Sequence, residues 1–155
     1  MEQPQYVIFD LDGTLANIEH RRHLVEGGNK EWDAFFAGCI DDTPNEDVVW
    51  LYNVLEKVPD LTLLIFSGRS EAVREETLAW LYEHVSPSIK EKDVRMRPQG
   101  NYRPDDMLKR EWLDDLQAWN DDFAKIRLVV DDRDKVVKMW RDVGITCLQV
   151  AEGGF

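Results

Sequence analysis

Tyr6-Val7-Ile8-Phe9-Asp10-Leu11-Asp12-Gly13-Thr14-Leu15 is the stretch on which the fold turns. Its first four residues form a short apolar run of β-branched and aromatic side chains, which reads as a buried strand. Side chains two apart along a strand point the same way. Asp10 and Asp12 therefore leave its end toward one side, with Leu11 turned away, and Gly13 permits a sharp exit.

Two later segments repeat the design, Leu63-Leu64-Ile65-Phe66 running into Ser67 and Leu128-Val129-Val130 running into Asp131. Near-continuous apolar runs of this length suit strands of a parallel sheet covered on both faces. Amphipathic stretches of helical length lie between them, around Asn45 to Val58, Ser70 to Val85, Asp105 to Trp119 and Arg133 to Val143. A last short strand, Thr146 to Val150, follows a helix stop at Gly144. Alternating strands and helices predict an α/β fold, a doubly wound parallel sheet whose ligand crevice lies at the carboxyl ends of the strands. The stretch 16–43 breaks the alternation, with Gly27-Gly28 and the aromatic cluster Trp32, Phe35 and Phe36, and reads as a small helical cap over those strand ends. No linker or repeat interrupts the chain, so its 155 residues are expected to form one domain.

Bulk composition narrows the function. The chain carries 31 acidic against 19 basic residues, a net charge of −12, which repels a nucleic-acid backbone at long range. A phosphate substrate must then be met by a local cation. No apolar run approaches the roughly 20 residues that cross a bilayer, and Met1 to Gln5 have neither the basic start nor the apolar stretch of a secretory signal. A cytoplasmic location, with no membrane partner, is the expectation. Cys39 and Cys147 are far apart and outside any CxxC or Cys/His cluster, so they read as small buried hydrophobes rather than zinc ligands.

Asp131-Asp132 at the end of the third strand would join Asp10 and Asp12 in one crevice. Two unit charges about 4 Å apart repel by roughly 4 kcal/mol at an effective dielectric near 20. Such a cluster calls for a hard cation with oxygen ligands, Mg²⁺ first, and the bound ion reverses the local sign so that a phosphate is accepted.

Asp10-Leu11-Asp12-Gly13-Thr14-Leu15, Ser67-Gly68-Arg69, Lys109 and Asp131-Asp132-Arg133, in that order, resemble the four signature motifs of the haloacid dehalogenase superfamily of phosphatases. Within it the chain is similar to the 3′-phosphatase domain of bacteriophage polynucleotide kinase. The segments Met96 to Arg103, Asp105-Asp106 before Lys109, Val137 to Arg141 and Cys147 to Ala151 carry that closer likeness. The resemblance implies a Rossmann-like haloacid dehalogenase fold with the cap inserted after the first strand. It implies Asp10 as covalent nucleophile and Asp12 as proton-transfer partner, with Ser67 and Lys109 around the phosphate oxygens. Mg²⁺ would be held by Asp10, the backbone carbonyl of Asp12 and the Asp131-Asp132 pair; consecutive strand residues face opposite ways, so one of the pair touches the metal directly, and the resemblance favours Asp132 over Asp131. Thr14, Gly68, Arg69, Arg97 and Arg103 are the candidate substrate contacts. The implied substrate is a phosphorylated nucleic-acid end, a 3′-phosphate by preference. A mononucleotide is the alternative, and no stable protein partner can be inferred. The chain starts with methionine and has no GxxxxGK[ST] loop, so a kinase half is expected to be absent.

Each motif has a plainer account. DxDGT can be a turn after a strand, Asp131-Asp132-Arg133 a helix start, Lys109 a solvated lysine, and Arg97 and Arg103 surface charges in a turn-rich loop with Pro98, Gly100 and Pro104. Arg69 could be a helix-start charge or a nucleotide contact. His20-Arg21-Arg22-His23, the one basic patch, reads as a solvated helix face. Trp50, Trp80 and Trp140 fall at core spacing on helices, and Trp32 and Phe35 in the cap are candidates for base stacking. A phospho-accepting receiver domain gathers similar groups, but its acidic pair comes first and its acceptor aspartate in mid-chain, the reverse of the order here.

Overall fold

In this computed structural model, which describes residues 4–119 and 125–154, the expected alternation is present. Along the chain run β1 (Gln5–Phe9), β2 (Ala16–Asn17), α1 (Trp32–Ala37), β3 (Thr43–Pro44), α2 (Glu46–Glu56), β4 (Leu61–Ser70), α3 (Arg74–His84), β5 (Val94–Arg97), α4 (Asp105–Trp119), β6 (Lys125–Asp131), α5 (Asp134–Asp142) and β7 (Cys147–Gln149). Five strands form one parallel sheet in the order β5-β4-β1-β6-β7. The chain steps outward from β1 to β4 and β5, then returns to the other side of β1. That reversal opens a crevice at the carboxyl ends of β1 and β6. Phe9 pairs with Ile65 on one side and Val130 on the other, so Asp10 leaves the sheet level with the end of β6, while β4 runs on past it to Ser70.

The period of two sorts the core. Val7, Phe9, Leu63 and Ile65 face α2 and α3, where Tyr52, Leu78 and Leu81 are buried. Ile8, Leu64, Phe66 and Val129 face α4 and α5 and meet Leu108, Trp112, Val137 and Trp140. Both sheet faces are covered, which is why the strands read as unbroken apolar runs.

The cap lies between β2 and β3, which pair antiparallel as its neck. It consists of a 3₁₀ turn at Arg22–Val25, α1 and a second 3₁₀ turn at Gly38–Asp41, around buried Ile18, Phe35 and Phe36.

Four expectations need correction. Trp50 is 66% exposed, because α2 turns Tyr52 inward and a residue two positions back points the opposite way. Arg97 is not a loop charge but the buried last residue of β5, a strand too short for its Val-Arg-Met-Arg alternation to stand out. Arg69 is not a helix-start charge, since β4 continues to Ser70. Nor is the basic patch a solvated face: Arg21 within it is 1% exposed. Trp80, Trp140, Cys39 and Cys147 are buried as expected. Among the described residues no helix is long and apolar enough to cross a membrane.

Candidate active site

Asp10 emerges from the central strand into the floor of the crevice, and each carboxylate oxygen has a donor. Thr14 Oγ1 donates to Oδ2 at 2.9 Å and Lys109 Nζ to Oδ1 at 2.8 Å. Gly13, at φ 81°, turns the chain so that Thr14 comes back beneath Asp10. Lys109 projects from α4 and also donates to Asp131 Oδ2 at 3.0 Å. Asp131 spends its other oxygen on the backbone N–H groups of Asp132 and Arg133, at 2.8 and 3.3 Å, capping the approach to α5. Asp132 is held more loosely, its Oδ1 reached by Thr14 Oγ1 at 3.4 Å.

Ligand oxygens of Asp10, Asp131 and Asp132 lie within 4.8 Å of one another, all buried. Lys109 is the ammonium they share. Burial, then repulsion from Asp131, pushes the Asp10 carboxyl well above its usual range, against the pull of Lys109. Burial chiefly raises Asp132 to about 6. The same carboxylates hold Lys109 protonated despite burial. Three buried carboxylates around one ammonium leave negative charge uncompensated, and an all-oxygen donor set of this kind fits a small hard divalent cation.

Asp12 lives in another environment. Although burial opposes ionisation, Arg69 and Arg21 hold its carboxyl below the usual range. Arg21 Nη2 and Arg69 Nε donate to Asp12 Oδ1 at 2.7 and 2.8 Å. Both arginines also grip Asp42 Oδ2 at 2.8 Å, and Arg21 Nε takes Asp42 Oδ1 at 2.8 Å. Asp42 sits at the cap's exit and is completed by His20 and by Trp80 Nε1 on its carbonyl. Two cap residues, one core arginine and Asp12 thus form one buried network.

The remaining sequence-derived candidates separate. Gly68, Arg97 and Arg103 line the cleft with Asp10, Asp12, Lys109, Asp131 and Asp132. Arg97 is largely occupied: it donates to the carbonyls of Gly68, Asn101 and Arg103 and pairs with Asp105. Asp105 also binds Arg133 at 2.6 Å. Arg103 pairs with Glu111 at the surface. Ser67 is fully buried, its Oγ accepting from the Arg69 N–H at 3.1 Å. Thr14 and Arg69 support Asp10 and Asp12 from beneath.

Sequence reading missed the partners Arg21, Asp42 and Asp105. Arg21 was visible only as one of four basic or histidine residues, and Asp42 carried no signal, since nothing local marks a carboxylate that pairs across 27 residues.

Family and fold both have counterparts among known proteins. The family model described as polynucleotide kinase PNKP phosphatase domain matches residues 4–155. A putative bifunctional polynucleotide kinase/RNA ligase of Autographa californica nuclear polyhedrosis virus is 28% identical over 145 residues, 92% of this chain and 18% of the viral protein. A chain in the structure of the Pnkp1/Rnl/Hen1 RNA repair complex superposes with a TM-score of 0.78 at 28% identity, over 99% of this chain and 44% of that one. This chain therefore spans less than half the length of either. The class C acid phosphatase from Bacillus anthracis shares the fold, with a TM-score of 0.64 at 12% identity over 100% of this chain and 69% of that one.

Proposed function

This chain belongs to the polynucleotide kinase PNKP phosphatase domain family, and on that premise we propose that it is a Mg²⁺-dependent phosphomonoesterase that removes 3′-phosphate from polynucleotide ends through an aspartyl-phosphate on Asp10. The observation that carries the proposal is the pair of aspartates two residues apart in opposite electrostatic settings. Asp10 lies in the carboxylate cluster and Asp12 between two arginines. Environments that divide two carboxylates in this way divide their roles.

In the first half-reaction a carboxylate oxygen of Asp10 bonds to phosphorus in line as the ester P–O bond breaks. The departing oxygen takes a proton from Asp12. In the second, water attacks phosphorus, its proton passes to Asp12, and the Asp10–phosphorus bond breaks to release phosphate. Lys109 and Thr14 fix the orientation of the nucleophile, and Lys109, with Ser67 as proposed second donor, stabilises charge on the transferring group. Asp10, Asp131 and Asp132, with the Asp12 carbonyl, would hold Mg²⁺. When bound, the ion neutralises the cluster and the phosphate charge. Asp12 rests ionised, which suits the second half-reaction. Donation in the first requires it to be protonated against the pull of Arg69 and Arg21.

Likeness to a chain of an RNA repair complex makes an RNA 3′ end the first substrate to try, with DNA ends and mononucleotides beside it. The test is phosphate release from 3′-phosphorylated oligonucleotide, 5′-phosphorylated oligonucleotide and mononucleotides, with Mg²⁺ and with chelator. Release from the 3′ end, abolished by chelator and by Asp10→Asn in a folded protein, is the expected result. Equal rates on all three substrates defeat the 3′ preference, and near-normal activity of Asp10→Asn refutes the nucleophile.

A further inference from the structure

The cleft above Asp10 has a volume of about 560 Å³, within the range of roughly 300–1,000 Å³ that encloses whole small molecules. A phosphoryl group occupies a small part of it. Ile18, Val25, Trp32, Phe35 and Phe36 from the cap give it an apolar, largely aromatic wall that the chemistry of phosphoryl transfer does not use.

The rings of that wall are not equivalent. Phe35 is 5% exposed and covered by the Arg21 guanidinium, 4.2 Å from its centroid. Phe36 is buried against Trp32, their centroids 5.9 Å apart and rings 27° from parallel. Trp32 is half-buried, its position fixed by Phe36 and by an edge-on contact with Phe35 at 5.8 Å. Its ring is also reached by an exposed side chain, with Lys30 Nζ 5.6 Å from the centroid. A held indole with a solvent-reachable face is a stacking platform, and an exposed lysine over it is readily displaced by a base. Lys30 and Lys135 line the same cleft and make no ion pair among the described residues, although the chain carries a net charge of −12. Unpaired ammonium groups beside an aromatic platform are the two halves of a single-strand site.

We propose that the cap, with the first turn of α5, recognises the terminal nucleoside of the substrate: its base stacks on Trp32, and Lys30 of the cap and Lys135 of α5 meet the phosphates that precede it. This rests on the functional reading above and adds which part of the strand is read. Stacking tolerates every base, so the subsite demands a base without selecting one.

The experiment compares two 3′-phosphorylated oligonucleotides, one ending in an ordinary nucleotide and one whose terminal nucleotide is abasic. The full chain is used as wild type, Trp32→Tyr and Trp32→Leu, with Mg²⁺. Removing the base is expected to lower wild-type kcat/KM on the order of tenfold to a hundredfold, chiefly through KM. Trp32→Leu should lose the same factor on the ordinary end and no more on the abasic one, and Trp32→Tyr should keep most of the activity. Indifference of the wild type to the base, or an equal loss by Trp32→Leu on both ends, overturns the subsite and leaves the phosphatase reading standing. An inactive wild type on both ends sinks that reading and the subsite together. Lys30→Gln and Lys135→Gln should each flatten the slope of log KM against log salt, by about 0.7 for each phosphate no longer neutralised; unchanged slopes overturn the backbone contacts.

Discussion

Replacing Asp132 by asparagine removes one negative charge from the cluster while keeping the shape of the side chain, and it should make the metal-free protein more stable. The Asp132 carboxyl is raised from 3.8 to about 6, burial being the main cause. At 1.36 kcal/mol per pKa unit, keeping it ionised in the fold costs about 3 kcal/mol. Coulomb's law gives a similar size, since two carboxylate charges no more than 4.8 Å apart repel by at least roughly 3 kcal/mol at an effective dielectric near 20. The folded chain binds this proton more tightly than the unfolded chain does. Stability is therefore lost as pH rises from about 4 through about 6, and the full penalty is present above about pH 7. In chelator at pH 8, Asp132→Asn should exceed the wild type by about 3 kcal/mol. For a domain of this length that is a rise in Tm of roughly 6–12 °C. Near pH 4 the two should melt together. Added Mg²⁺ should raise the wild-type Tm and leave the variant's nearly unchanged, because the variant has lost both the repulsion and the ligand. Asp131→Asn is the control: Asp131 has Lys109 on one oxygen and two backbone N–H groups on the other, so its loss should not stabilise. Thermal melts followed by circular dichroism decide the matter. An Asp132→Asn protein no more stable than wild type in chelator at pH 8 would falsify the account of a charge-crowded, metal-requiring cluster.

Two further outcomes follow from neighbouring parts of the site. Arg21→Ala removes one of the two cations that keep Asp12 ionised, so Asp12 should hold its proton to higher pH and the alkaline limb of the pH–rate profile should move up. With proton transfer less well positioned, kcat should fall on the order of a hundredfold. A limb that stays in place while the fold remains intact would detach Arg21 from Asp12. Gly13→Ala forces a side chain onto a backbone at φ 81° and drives its Cβ into Asp132 Oδ2. The Mg²⁺ concentration for half-maximal activity should rise at least about tenfold, since ligands must hold their geometry closely; an unchanged Mg²⁺ requirement would show that Asp132 is not a ligand.

Much of the fold was legible because it rests on local patterns. Val7 and Phe9 against Ile8 obey a period of two that needs no knowledge of the partner strands, and Asp10 and Asp12 declare their shared side in the same way. β5 was not legible, because four alternating residues carry too little signal. Trp50 was misread for a related reason: helical spacing says which residues share a face, but the choice of buried face belongs to what the helix packs against, here through Tyr52.

From the sequence alone came the parallel sheet, the cap and the set of carboxylates brought to one crevice, because strand ends in a doubly wound sheet converge wherever apolar runs terminate. Tertiary structure alone decided how those carboxylates differ. Asp12 becomes the ionised partner of Arg21 and Arg69, 9 and 57 residues away, whereas Asp10 shares Lys109 with Asp131 across 99 and 22 residues. A pKa is set by every charge within a few ångströms and by the water excluded around it, and neither quantity exists until distant segments are packed together.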